Sequence, residues 1–125
     1  MPSKTFVSIM KHPISIALSL ILAVVISLLT LTPISVQGAP GSDKLYHLLA
    51  FGALAFPLAF GSPRNAVWVA LLAIGYGALI EVIQPYVGRS AEWGDLLADA
   101  IGACLGALAG WSAARLTTFV RKAIS

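Results

Sequence analysis

The sequence predicts an all-α integral membrane protein, a four-transmembrane-helix bundle with both termini on the cytoplasmic side. Three observations carry this. Of 125 residues, 58% are hydrophobic and only 10% charged, whereas a soluble domain carries about 25% charged residues; the chain lacks the means to clothe a wet surface. Four apolar segments recur, each close to the roughly 20 residues that cross a bilayer. The charges sort to opposite ends of those segments. At this length the segments make one membrane domain, residues 1–125.

The first span, 14–32, has no charged residue. Lys4 and Lys11 precede it, and Val36-Gln37-Gly38 before Ala39 offers a passable signal-peptidase site. An export signal, however, has an apolar core of about 7–15 residues, and this one is longer. A retained helix is the better reading, with cleavage the alternative. The second span, 45–61, holds His47 as its one group that titrates near neutral pH; the third, 66–84, is interrupted by Glu81; the fourth, 95–113, carries Asp95 and Asp99 near its start. Pro33, Pro40, Gly41, Ser62, Pro63, Pro85 and Gly88 mark short connections. No stretch alternates as a strand does, and no segment reads as a soluble domain.

Charge sets the orientation. With the N-terminus inside, Lys4, Lys11, Arg64, Arg115, Arg121 and Lys122 are cytoplasmic, with no acid among them. Lys44 and Arg89 fall on the other side with all the acids: Asp43, Glu81, Glu92, Asp95 and Asp99. Lysine and arginine beside short loops favour the cytoplasm, so the basic pI is a topology signal and needs no nucleic-acid partner. Tyr46, Tyr86 and Trp93 mark the outer boundary, Trp68 and Trp111 the inner one.

Each outer helix end therefore carries a polar face. Asp43, Lys44 and His47 share one face of the second helix at three- and four-residue spacings, as do Glu81 and Gln84 on the third and Asp95 and Asp99 on the fourth. Arg89 and Ser90 lie in the loop between the third and fourth helices. A carboxylate inside a span costs roughly 2.5–3.5 kcal/mol on insertion scales, so Glu81 needs either a partner such as Arg89, Lys44 or His47, or a function. Acids at helix starts also have a plainer use, since they offset the positive end of the helix dipole. Ala98, Gly102, Gly106, Gly110 and Ala114 form a small-residue row on the fourth helix, a surface for close helix packing in lipid. Gly102, Gly106 and Gly110 are also a candidate contact for a homo-oligomer. Cys104 stands alone and reads as a small apolar filler.

Three blocks carry a family resemblance: Ser42-Asp43-Lys44-x-x-His47; Tyr76-Gly77-x-x-Ile80-Glu81-x-x-Gln84; and Gly88-Arg89-Ser90-x-x-x-x-Asp95-x-x-Ala98-Asp99-x-x-Gly102. In this order and spacing, over a core of 42–110, the chain resembles the VanZ-like membrane proteins, a family named for a protein associated with resistance to the glycopeptide teicoplanin. The family often has asparagine where this chain has Asp99. The resemblance implies a multi-pass protein of the bacterial inner (plasma) membrane.

Residues and resemblance together point to one outward-opening polar pocket of Asp43, Lys44, His47, Glu81, Gln84, Arg89, Ser90, Asp95 and Asp99. The favoured reading is a cell-envelope protein that contributes to glycopeptide resistance by binding an envelope ligand, a lipid-linked cell-wall intermediate or a glycopeptide. Whether it is also an enzyme stays open: Glu81 and His47 are then the candidate catalytic residues, doing acid–base chemistry, with Arg89 gripping a phosphate. A proton-coupled transporter is the third reading, weakened by acids that gather at one end instead of lining a path. No His-x-x-x-His spacing, nucleotide-binding loop or nucleophile elbow appears, so neither a metal site nor a cofactor is expected from the sequence.

The orientation is testable with reporter fusions at residues 40, 63, 90 and 125. Activity characteristic of the outer compartment is expected at 40 and 90, and of the cytoplasm at 63 and 125. Outer-compartment activity at 63 or 125 would reverse the topology.

Overall fold

A computed structural model describes the backbone of residues 4–32 and 42–125, with side chains at 13–32 and 44–125. The side chains of Lys4, Lys11, His12 and Asp43, and the whole of residues 33–41 with Val36-Gln37-Gly38, lie outside the described residues. Within them the chain is all-helical: α1 (Lys4–Leu31), α2 (Ser42–Gly61), α3 (Ala66–Ile83) and α4 (Trp93–Ile124), with short 3-10 turns at Pro63–Asn65 and Gln84–Val87. All four helices are long and apolar enough to cross a membrane. Large apolar side chains such as Leu29, Val67, Leu72 and Leu108 point outward, as a surface solvated by lipid tails requires.

Two helices outrun their expected bounds. α1 starts at Lys4 and contains Pro13; α4 continues past 113 to Ile124. Neither glycine nor proline follows Gly110, so no residue type stops α4 where its apolar pattern fades. At 1.5 Å per residue it is about 48 Å long, more than the roughly 30 Å hydrocarbon core. Its basic end, Arg121 and Lys122, therefore projects beyond the apolar zone.

α2 is the central element, packed against each of the other helices. Its closest partner is α4, and the two run parallel. The match advances four residues at a time on both: Gly102 on the Leu48 carbonyl, Gly106 on the Gly52 carbonyl, Gly110 on the Phe56 carbonyl. A Cβ at Gly102 or Gly106 would strike those oxygens, and one at Gly110 would lie 2.5 Å from its oxygen. Backbone meets backbone, a close approach that small residues permit in lipid. The row expected to offer a homo-oligomer contact is thus covered by α2 of the same chain, with Gly102, Gly106 and Gly110 all buried. A second copy would have to use another face.

Below the polar end the core is dry: Phe51, Leu54, Ala55 and Ala59 of α2 meet Val69, Ala73 and Ile80 of α3, Ala103 and Ala107 of α4, and Ile26 of α1. α1 is bound in by polar contacts as well. Ser19 donates to the Leu54 carbonyl at 2.9 Å, and the Tyr76 hydroxyl of α3 bonds both the Ala23 carbonyl and the Ser27 hydroxyl. Gln84 and Arg89 donate to the carbonyls of Thr30 and Thr32, at 3.3 and 3.1 Å. Carbonyls near a helix end have no partner within the helix, and these two donors supply one.

Gly106→Leu tests the α2–α4 contact. Overpacking a core typically costs about 1–3 kcal/mol, and here even the Cβ meets main chain, so the loss should lie at or above the top of that range. Ala109→Leu, on an exposed position of α4, should change melting in detergent little. Equal heat stability of Gly106→Leu and the parent would show that the helices do not meet there.

Candidate functional site

The parallel register sets what happens at the ends where α2 and α4 begin. Because Gly102 sits on Leu48, the turn before it brings Asp99 to His47. The imidazole Nδ1 lies 2.7 Å from Asp99 Oδ1 and its Nε2 lies 3.7 Å from Asp95 Oδ2. One ring thus stands between two carboxylates a helical turn apart on α4. Asp99 is fully buried, and Asp95 is 7% exposed. Lys44, one turn earlier on α2, reaches Glu92 at 3.1 Å and Asp95 at 3.6 Å. Gly94 leaves room for it, since a Cβ there would lie 2.6 Å from Lys44 Cε.

α3 closes the third side. Val69, Ala73, Gly77, Ile80, Glu81 and Gln84 recur at helical spacing as its buried face. Glu81, 8% exposed, accepts the backbone N–H of Glu92 at 2.9 Å. It thereby ties the residue that caps the start of α4 to α3; among the described residues it makes no ion pair with Arg89, Lys44 or His47, the partners the sequence offered. A Cβ on Gly77 would lie 2.8 Å from Asp99 Oδ2 and 3.1 Å from the Phe51 ring, so the glycine makes space for the buried carboxylate. His47, Glu81 and Asp99 each place a possible ligand atom within 4.8 Å of the others. Among the described residues, Glu81 Oε1, Asp99 Oδ2 and Gln84 Oε1 are buried and accept no hydrogen bond.

Helix ends favour this placement. α2 and α4 both begin here, and the positive ends of their dipoles attract carboxylates. The loop from α3 follows its own logic: Gly88 adopts φ 80, left-handed backbone that glycine takes without penalty, and turns the chain from the 3-10 segment toward α4.

Of the residues expected in one pocket, the structure gathers Lys44, His47, Glu81, Asp95 and Asp99. Glu92, read from the sequence only as one of the outer acids, joins them through Lys44 and Glu81. Gln84 and Arg89 reach α1, Ser90 is exposed, and the Asp43 side chain lies outside the described residues. A metal-type cluster was not anticipated, because ligand spacing along one helix carries no signal when each donor comes from a different helix.

Beside the cluster lies a cleft of about 370 Å³ between α3 and the start of α4. Glu81 and Glu92 form its polar rim, and Ala78, Val82, Trp93 and Leu96 its apolar wall. A larger groove, about 600 Å³, lies toward the other end of the same helices. Its walls are almost wholly apolar, from Ala70 and Ile74 to Ala107 and Trp111, with Arg64 at the edge; it suits a lipid chain and holds no reactive constellation.

Sequence comparison matches residues 2–114 to VanZ/LLP1, a stretch that takes in α1 as well as the three helices of the cluster. No curated protein and no solved structure matches the chain. With that match running over nearly its whole length, this four-helix chain belongs to the VanZ/LLP1 family.

Proposed function

We propose that this VanZ/LLP1 protein is a multi-pass protein of the bacterial inner membrane that binds an envelope amphiphile at its outer face and so contributes to glycopeptide (teicoplanin-type) resistance. The cleft between α3 and α4 carries the proposal. Its wall of Ala78, Val82, Trp93 and Leu96 suits a hydrocarbon chain, while Glu81 and Glu92 stand at its rim. That combination fits a ligand with one apolar and one polar end. An acidic rim favours hydroxyl and amine donors, which a lipid-linked cell-wall intermediate or a glycopeptide presents. The N-in, C-in orientation, argued from the sorting of bases, turns this rim outward.

A second reading rests on a separate observation, the 2.7 Å contact between His47 and a fully buried Asp99. A carboxylate that holds an imidazole at one nitrogen orients it for proton transfer at the other. In this reading the protein is a small membrane enzyme, with His47 and Glu81 exchanging protons on a bound lipid-linked substrate.

Paired measurements on Glu81→Gln, His47→Ala and Arg89→Lys separate site from scaffold: protein level and melting, beside glycopeptide susceptibility and the lipids that co-purify, identified by mass spectrometry. Glu81→Gln keeps an oxygen for the Glu92 N–H. It should match the parent in abundance and melt near it, yet lose most of the co-purifying lipid and the resistance. Arg89→Lys keeps the charge but not the planar donor pair, and should loosen the link to Thr32. Turnover of a bound lipid by the parent would favour the enzyme over the binder. Loss of stability in step with function in all three variants would make the cluster structural cement and sink the proposal.

A further inference from the structure

Buried carboxylates without enough donors call for a cation. Asp99 is fully buried and Glu81 is 8% exposed, and each keeps one oxygen, Oδ2 and Oε1, that accepts no hydrogen bond among the described residues. Native buried oxygens of this kind are rare and ask for a reason, an unseen ion among them. Here two occur next to one imidazole. Like charges set close together away from water repel strongly, and Asp95 adds a third carboxylate at 3.7 Å from the same ring.

We propose that His47, Glu81 and Asp99 bind a divalent transition-metal ion of the Zn²⁺ or Mn²⁺ class. One donor atom from each lies within 4.8 Å of the other two. Donors stand about 2.0–2.2 Å from such an ion, so two of them can be about 4.4 Å apart, and the cluster is already near the required spread. The donors come from α2, α3 and α4, rigid elements that hold a site more accurately than loops do. One imidazole nitrogen with two carboxylates is a borderline donor set, suited to Zn²⁺, Mn²⁺ or Fe²⁺ rather than to soft Cu⁺; Ca²⁺ and Mg²⁺ prefer oxygen alone. Three protein ligands leave a coordination position open, as sites that engage a further ligand do. With Asp99 as a ligand, the ring binds through Nδ1, the nitrogen beside it, and Nε2 faces Asp95 Oδ2 at 3.7 Å; a carboxylate behind the second nitrogen is usual for metal-bound histidines. Gly77 keeps α3 clear of Asp99 Oδ2, since a Cβ there would lie at 2.8 Å.

A dication at this point changes what the outer face can hold. Without it the rim of Glu81 and Glu92 repels anions; with it, a phosphate or carboxylate group becomes an acceptable open-position ligand. The inference deepens the binding proposal at the same cluster, but metal binding is measured with no envelope ligand present, so either can fail alone.

The test uses tag-free protein in detergent, stripped with a chelator and then equilibrated separately with Zn²⁺, Mn²⁺ and Mg²⁺. Bound metal is counted after desalting, and melting is recorded. The parent should retain about one Zn²⁺ or Mn²⁺ per chain and melt higher with it. Glu81→Gln and His47→Gln should each weaken binding by roughly tenfold or more and lose the metal-dependent rise in melting temperature. Co²⁺ bound to the parent gives a second readout that needs no variant: its visible absorption should depart from that of the aquo ion. Three outcomes overturn the proposal: no retained Zn²⁺ or Mn²⁺ in the parent, retention undiminished in both variants, or an unchanged Co²⁺ spectrum.

Discussion

The backbone contact between α2 and α4 is the constraint on which the rest depends. Gly102, Gly106 and Gly110 let α4 lie on the Leu48, Gly52 and Phe56 carbonyls, and the constant four-residue step fixes a single register. That register alone decides that His47 meets Asp99 rather than a lipid tail, and that Lys44 reaches both Glu92 and Asp95. A side chain at any of these glycines would separate the helices and, with them, the imidazole and its carboxylate. In lipid no hydrophobic effect draws helices together, and close packing with polar contacts does that work. The glycine row is therefore also part of the site.

Much of this was legible in the chain. Apolar run lengths gave four spans, and the placement of Asp43, Lys44, His47, Glu81, Asp95 and Asp99 put polar groups at three helix ends of the same side. The small-residue row marked α4 as a packing surface. What the chain did not disclose was who meets whom. His47 and Asp99 are separated by 52 positions, and helical periodicity gives the faces of one helix but not its register against another. Nothing in the sequence marks Gly77 as the residue that makes room for Asp99. Glu81 accepts the backbone N–H of Glu92, a partner no side-chain pattern marks, because it belongs to a helix start whose position depends on the whole loop from Gln84 to Glu92. Gln84 and Arg89 looked like pocket residues and also serve α1, whose C-terminal carbonyls need donors that no sequence pattern announces.

Stability and function pull on the same residues. Moving a charge out of water is expensive, and a close pair offsets it only when the remaining lone pairs are satisfied. In this cluster some are not: Glu81 and Asp99 each keep an oxygen without a donor, although a well-satisfied apolar set of similar size would hold three helices together at least as firmly. A purely structural role explains the His47–Asp99 contact and the Glu81 cap on α4. It does not explain the surplus acceptors.

Depth within the bundle narrows the choice further. Directly beneath the cluster, Phe51 is 1% exposed and Ala55 and Ala103 are fully buried, with the Phe51 ring 5.8 Å from that of Tyr76. No Asp, Glu, His, Lys or Arg of α2, α3 or α4 follows until Arg115, with Arg64 just before α3, on the far side of the apolar zone. A conducting path needs titratable or hydrated groups at intervals through the membrane, and below the cluster these three helices supply only Tyr76 and Cys104 as titratable groups before the bases. Among the described residues the carboxylates and His47 are thus confined to one end of the helices. Polar groups gathered at one end, beside a cleft with an apolar wall, suit the proposed holding of an amphiphile's head better than a path for a solute, which would need such groups along the whole span.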